Sequence, residues 1–181
     1  MKLAMKSAGR LLLALLMSLL VGCADRAESE TFLIEKGYRG KINVIFNQPN
    51  GQAEKYENGR RIYEIPRNGI LLTRFKDDYG LIDQQYFLVD ASGKREALKE
   101  LDVRSFNEEW TTIKNPIEPS RDEFGVFFAG RVGVYGNSDD PKSLRFREFF
   151  VSTYRELKTY HDQKYEEEFL EKIKKLTGVL F

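Results

Sequence analysis

Residues 58–75, NGRRIYEIPRNGILLTRF, carry the reading of the fold. Asn58-Gly59 and Asn68-Gly69 are turn signals, because Asn-Gly suits the positive φ of tight hairpin turns. Between them Arg61–Ile65 (RIYEI) alternates apolar and polar residues and stops at Pro66. That is the period of a strand with one buried face. Ile70–Phe75 (ILLTRF) follows as a second strand.

The same rhythm continues outward. Thr31–Ile34 and Lys41–Phe46 (KINVIF) are rich in β-branched and aromatic residues, with Gly37 to Gly40 between them, and read as a first hairpin. Pro49-Asn50-Gly51 is a turn. On the other side Lys76–Gly80 (KDDYG) is a loop, Gln85–Val89 (QYFLV) a strand and Asp90–Lys94 (DASGK) its turn. Strands thus recur every ~10–15 residues, as in a sandwich or barrel. Residues 91–123, with Pro116 and Pro119 and mixed charge, read as a long connection. Val126–Tyr135 (VFFAGRVGVY) and Arg145–Val151 (RFREFFV) are the last strands, joined by the turn Gly136–Pro141 (GNSDDP).

After Thr153 the period changes. Thr153-x-x-Glu156 has the form of a capping box. Tyr165, Phe169, Ile173 and Leu176 recur at helical spacing, while Glu168/Lys172 and Glu171/Lys175 are i,i+4 pairs on the opposite face. Gly178 is a C-terminal stop. The apolar stripe must lie on something, and a sheet face of the same chain is the expected support, with a partner as the alternative. The expected architecture is α+β: a mainly antiparallel β-sandwich-like body over residues 31–181, with C-terminal helices at about 153–177.

The chain has 181 residues, with 41% hydrophobic residues and 13 Phe, 9 Tyr and 1 Trp. That argues for one packed domain rather than disorder. A domain of about 150 residues buries roughly 70% of its unfolded surface and needs no disulfide to hold a core. Residues 1–22 contain Lys2, Lys6 and Arg10 and no acid. Without them 26 basic and 28 acidic residues remain, a formal charge of −2. No basic stripe points to nucleic acid.

The N-terminus reads as an export signal. Residues 1–10 carry the positive charges, and Leu11–Val21 (LLLALLMSLLV) is an apolar run. A membrane-spanning helix needs ~20 apolar residues, whereas this run has the length of a signal-peptide core. It ends in Leu20-Val21-Gly22-Cys23, and Cys23 is the only cysteine. These residues resemble the lipobox of bacterial lipoproteins. The resemblance implies a diacylglycerol thioether on Cys23 and cleavage between Gly22 and Cys23. Two or more acyl chains anchor stably where one is marginal. Residues 24–30 (ADRAESE) then form a short polar tether. An Asp after the lipidated cysteine would signal inner-membrane retention in a diderm bacterium. The residue is Ala24, which favours the outer membrane.

A second resemblance rests on Gly37-Tyr38-x-Gly40, Phe46-Asn47-Gln48, Asn50-Gly51, Asn58-Gly59-Arg60, Tyr63-x-Ile65-Pro66, Asn68-Gly69-Ile70-Leu71-x-Thr73 and Val89-Asp90 followed by Gly93. Over residues 31–98 the chain resembles a family of bacterial lipoproteins bearing a domain of unknown function. Most of these residues are turn glycines and strand positions. The resemblance implies an extracytoplasmic β-sandwich-like module and no catalytic activity.

Candidate chemistry is sparse. His161, the only histidine, would have to serve any triad or histidine-based metal site. Its place in Tyr160-His161-Asp162 reads better as a joint between two helical stretches. Asp77, Asp78 and Asp83, and Asp139 with Asp140, could supply a pair of carboxylates for glycan hydrolysis or oxygen ligands for calcium. The plainer reading is Asp in surface turns. Gly130 to Gly136 lacks the Lys-Ser/Thr pair of a phosphate loop, so its glycines relieve strand crowding or mark bulges. Trp110, with Tyr79 or Tyr135, could stack on a sugar or anchor a protein partner, against the plainer reading of a core Trp. No cofactor or metal is expected. The function read from the sequence is a membrane-anchored envelope lipoprotein acting as a non-enzymatic binding or assembly module. The alternatives are an envelope glycan hydrolase and a carrier of an apolar ligand.

Overall fold

The computed structural model describes residues 27–107 and 116–181. Cys23, Gly22 and Trp110 lie outside the described residues. The strands are β1 (Glu30–Glu35), β2 (Gly40–Ile45), β3 (Tyr56–Glu57), β4 (Arg60–Ile65), β5 (Ile70–Leu72), β6 (Gln84–Val89), β7 (Arg95–Leu98), β8 (Glu100–Leu101), β9 (Phe124–Tyr135) and β10 (Leu144–Thr153). They form two five-stranded sheets, ordered β3-β4-β1-β6-β7 and β5-β2-β10-β9-β8. The α+β, sandwich-like expectation holds.

The strand pairing is mixed rather than mainly antiparallel. Among the described residues four pairings are parallel (β1–β4, β1–β6, β2–β5, β8–β9) and four antiparallel. The reason lies in the turns. Asn58-Gly59 closes a true hairpin between β3 and β4, both residues at positive φ. The turn after β1 does not close one. Tyr38 sits between β1 and β2, donating its hydroxyl to the Lys41 carbonyl at 2.5 Å, and the chain arches from one sheet to the other. Asn68-Gly69 likewise carries β4 over to β5 in the opposite sheet. Gly69 is required there: its φ is +75°, and a Cβ would lie 2.0 Å from the Tyr38 hydroxyl. Between the two arches, residues 46–55 bring the chain back from β2 to the first sheet, where β4 lies beside β1 in parallel. The connection at residues 91–123 also contains more structure than its sequence suggests, namely β7, β8 and a 3₁₀ turn at Val103–Ser105.

The space between the sheets is filled. Phe32, Tyr63, Tyr86 and Phe149 pack ring on ring, with centroids 5.0 Å apart from Phe32 to each of the other three. Ile34, Ile42, Val44 and Val151 belong to the same cluster. Alternation then gives β2 and β10 a second buried face. Ile45 and Leu144 on that face, with Ile70 on β5, pack against Phe169 and Ile173.

Those two residues belong to the C-terminal helix. Thr153 and Glu156 form the expected capping box at the 3₁₀ turn Tyr154–Glu156, which leads into α1 (Leu157–Tyr160). His161 is the joint, and the Asp162 carboxylate accepts from the Lys164 backbone N–H at 3.0 Å to start α2 (Gln163–Thr177). Gly178 ends it at φ 70°. Phe169 and Ile173 are buried and Leu176 is half exposed, so most of the stripe packs within the chain.

Candidate functional site

Two ends of the first sheet differ in chemistry. At one end lie the start of β1, the start of β6 and the loop 76–83. The sequence-predicted Asp77, Asp78 and Asp83 all sit here, and each faces an arginine. Asp77 lies 3.6 Å from Arg145, Asp78 lies 3.6 Å from Arg61, and Asp83 pairs with Arg60. Beneath them Glu30 and Arg147, both buried, pair across the two sheets. Tyr63 and Gln84 donate to the Glu30 carboxylate at 3.2 and 2.8 Å. Burial pulls the Arg147 guanidinium down to about 10, still charged at neutral pH. Its Nε hydrogen has no acceptor.

This pairing bears on the carboxylate chemistry. A hydrolase needs one carboxyl held protonated and another available as base or nucleophile. Here guanidinium groups neutralise the carboxylates one by one. Among the described residues no three His, Cys, Asp or Glu side chains gather to hold a metal ion. Asp139 and Asp140 stay in the β9–β10 turn, where Asp140 accepts from the Lys142 backbone at 2.8 Å and Asp139 donates its own N–H to Asn137.

The opposite end carries a groove that no sequence motif marks. It has a volume of about 630 Å³ and lies over the C-terminal ends of the parallel strands β4, β1 and β6. Its floor is Leu33, Ile65 and Val89, and its rim is Glu35, Lys36, Glu64 and Asp90. Ion pairs fix the rim. Glu35 pairs with Arg67, which holds its carboxyl below the usual range. Lys36 pairs with Glu96 at 3.0 Å, which raises the ammonium. Arg95 on β7 reaches Glu57 on β3 at 2.7 and 2.8 Å, a two-pronged pair between strands at opposite edges of the sheet. Flat, those edges would stand about 19 Å apart. The pair closes because the twist of the sheet brings its diagonal corners together. The outer face is therefore concave, and Ile62 on it is 1% exposed.

Of the predicted aromatic residues, Tyr79 and Tyr135 are described and Trp110 is not. Tyr79 is 56% exposed on the loop 76–83, bonded to Asp77 and Arg145. The Tyr135 ring is half-buried. It stacks on Phe146 at 4.1 Å and Phe181 at 4.7 Å, and its hydroxyl donates to Asn43 at 2.9 Å. It belongs to the packing under α2 because it is the last residue of β9, directly opposite Leu144. His161 lies edge-on to Phe128 at 5.5 Å, and burial lowers its basicity. Gly133 leaves room for the Phe146 ring, which would sit 2.5 Å from a Cβ there.

Two mixed sheets under one capping helix, with ion pairs at each layer junction, define a small sandwich-like module. Residues 26–136 match the model of a family of unknown function, DUF6843. The chain belongs to that family. Its structure is similar to the crystal structure of a "putative lipoprotein" from Bacillus anthracis, at 13% identity and a TM-score of 0.54. The match covers 86% of this chain and the whole of the other. That likeness establishes the shared fold. A search of curated proteins returns no match.

Proposed function

We propose that the chain is a bacterial envelope lipoprotein, anchored through acyl chains on Cys23, that works as a non-enzymatic binding module. The groove at the far end of the first sheet carries this reading. It combines an apolar floor, a rim of fixed charges and a concave strapped face, the usual make-up of a binding site. The neutralised Asp77, Asp78 and Asp83 speak against hydrolysis, and the filled space between the sheets leaves no room for a carried apolar ligand. With Ala24 after the anchor, the outer membrane is the destination in a diderm host.

Two measurements test this. Cys23→Ala should abolish metabolic labelling by fatty acid, and retained labelling would overturn the anchor. A photo-reactive amino acid at Ala91, on the groove, should cross-link one dominant envelope protein in cells. The same probe at exposed Thr159 should not. No product above background from Ala91 would overturn the groove as a protein site and direct the search to glycans.

A further inference from the structure

We propose that the loop 76–83 rests on the bilayer that holds the anchor, with Leu81, Tyr79 and Tyr56 in contact with lipid, so that the groove faces away from the membrane. The proposal rests on the lipid-anchor reading.

Three observations converge. Leu81 is 71% exposed, Tyr79 56% and Tyr56 50%, and all three stand at one end of the sandwich. Glu28 fixes that end. Its backbone N–H donates to Asp78 at 2.9 Å, its carboxylate pairs with Arg61, and the Tyr56 hydroxyl reaches it at 3.4 Å. The chain therefore leaves the domain from the loop that exposes Leu81. The third observation is length. Only four residues lie between Cys23 and Glu28, and the five steps of at most ~3.6 Å each span about 18 Å. An anchor on Cys23 cannot let this end stray further from the headgroups.

The chemistry fits a lipid surface. Tyrosine rings are favoured at the membrane–water interface, with the hydroxyl in the headgroup layer. The Tyr79 hydroxyl already carries polar partners in Asp77 and Arg145. The acids of the loop are paired with Arg60, Arg61 and Arg145, so its charge is largely compensated. From Glu30 to Glu35 the six residues of β1 cover about 20 Å, which lifts the groove clear of the headgroups.

The test uses the mature lipidated chain in vesicles of phosphatidylethanolamine and phosphatidylglycerol. With Cys23 acylated, Leu81→Cys provides the one free thiol for an environment-sensitive fluorophore. Ser92→Cys, in the turn after β6 at the opposite end, is the control, and both sites are exposed. The expected result is blue-shifted emission at position 81, quenched at least threefold more by spin-labelled lipid than at position 92. Equal quenching at the two positions would overturn the orientation while leaving the anchor intact. A second free thiol, at Cys23, in chains that fail to float with the vesicles would overturn the anchor and the orientation together.

Discussion

Phe169→Ala tests whether α2 belongs to the domain or lies ready for a partner. Phe169 is 3% exposed and packs with Ile45, Ile70 and Ile173, while the Lys41 ammonium lies 5.3 Å from its ring centre. Emptying such a site costs about 3–5 kcal/mol in lost transfer energy and residual cavity. The cation–π contact adds up to about 1 kcal/mol to the loss. Alanine returns about 0.5 kcal/mol through its better helix propensity. The expected net loss is about 4 kcal/mol. With a urea slope of about 2 kcal/mol/M, the unfolding midpoint should fall by about 2 M. Leu176→Ala is the control on the same helix. Leu176 is 47% exposed and should cost less than about 1 kcal/mol. Urea titration of both variants, followed by circular dichroism, gives the comparison. If Phe169→Ala shifts the midpoint no more than Leu176→Ala, the helix is undocked in solution and its stripe is open to a partner.

Two further outcomes follow from the polar groups. Glu30→Gln leaves Arg147 buried beside a neutral amide and should cost about 3–5 kcal/mol, whereas Glu30→Leu combined with Arg147→Met should restore most of it; thermal unfolding of the single and double variants decides. For His161 the sign runs one way: burial, helped by Arg131, lowers its folded basicity, so its contribution is present above the unfolded value near 6.5 and fades as acid charges the ring. Stability should therefore drop between pH 7 and pH 5, and His161→Gln should flatten that slope in melting temperatures taken across the range.

The sequence discloses periodicity better than connectivity. β4, β6, β9 and β10 are legible as β-branched and aromatic runs between turn residues, and the structure places strands at those segments. The capping box, the joint at His161 and the stop at Gly178 are equally legible, because each is a local hydrogen-bonding or φ requirement. Sheet membership is not local. A glycine turn after β1 serves a hairpin or an arch equally well, and the choice rests on Tyr38 meeting Gly69, thirty-one residues apart in sequence. β7 escapes notice because three of its four residues are exposed and it pairs on one edge only. The groove escapes for a related reason. Leu33, Glu64 and Val89 come from three strands and share no spacing. The one available signal is Ile62, an apolar residue on the face of β4 that alternation assigns to solvent.

The residues resembling a lipoprotein family set backbone geometry, as their turn-rich composition implies. Tyr38, Gly69 and Asn58-Gly59 make arches and a hairpin, and Gly51 lies against the backbone of Leu72 and Thr73 with no room for a Cβ. Arg60 is the exception that enters an ion pair, with Asp83. The buried charges do different work. Two sheets packed through apolar faces could slip by two residues and still bury the same face. Glu30 on β1 and Arg147 on β10 meet only in one register, which fixes sheet against sheet. Lys41 repeats this one layer out. Its ammonium lies 2.7 Å from Glu148 on the neighbouring strand and 2.7 Å from Glu166 on α2. A buried pair adds little net stability over apolar residues of the same volume, yet breaking one is costly. Charges placed one per layer junction therefore penalise every misaligned packing more than they stabilise the aligned one. That selectivity holds the arginine-paired end and the groove at opposite ends of the first sheet.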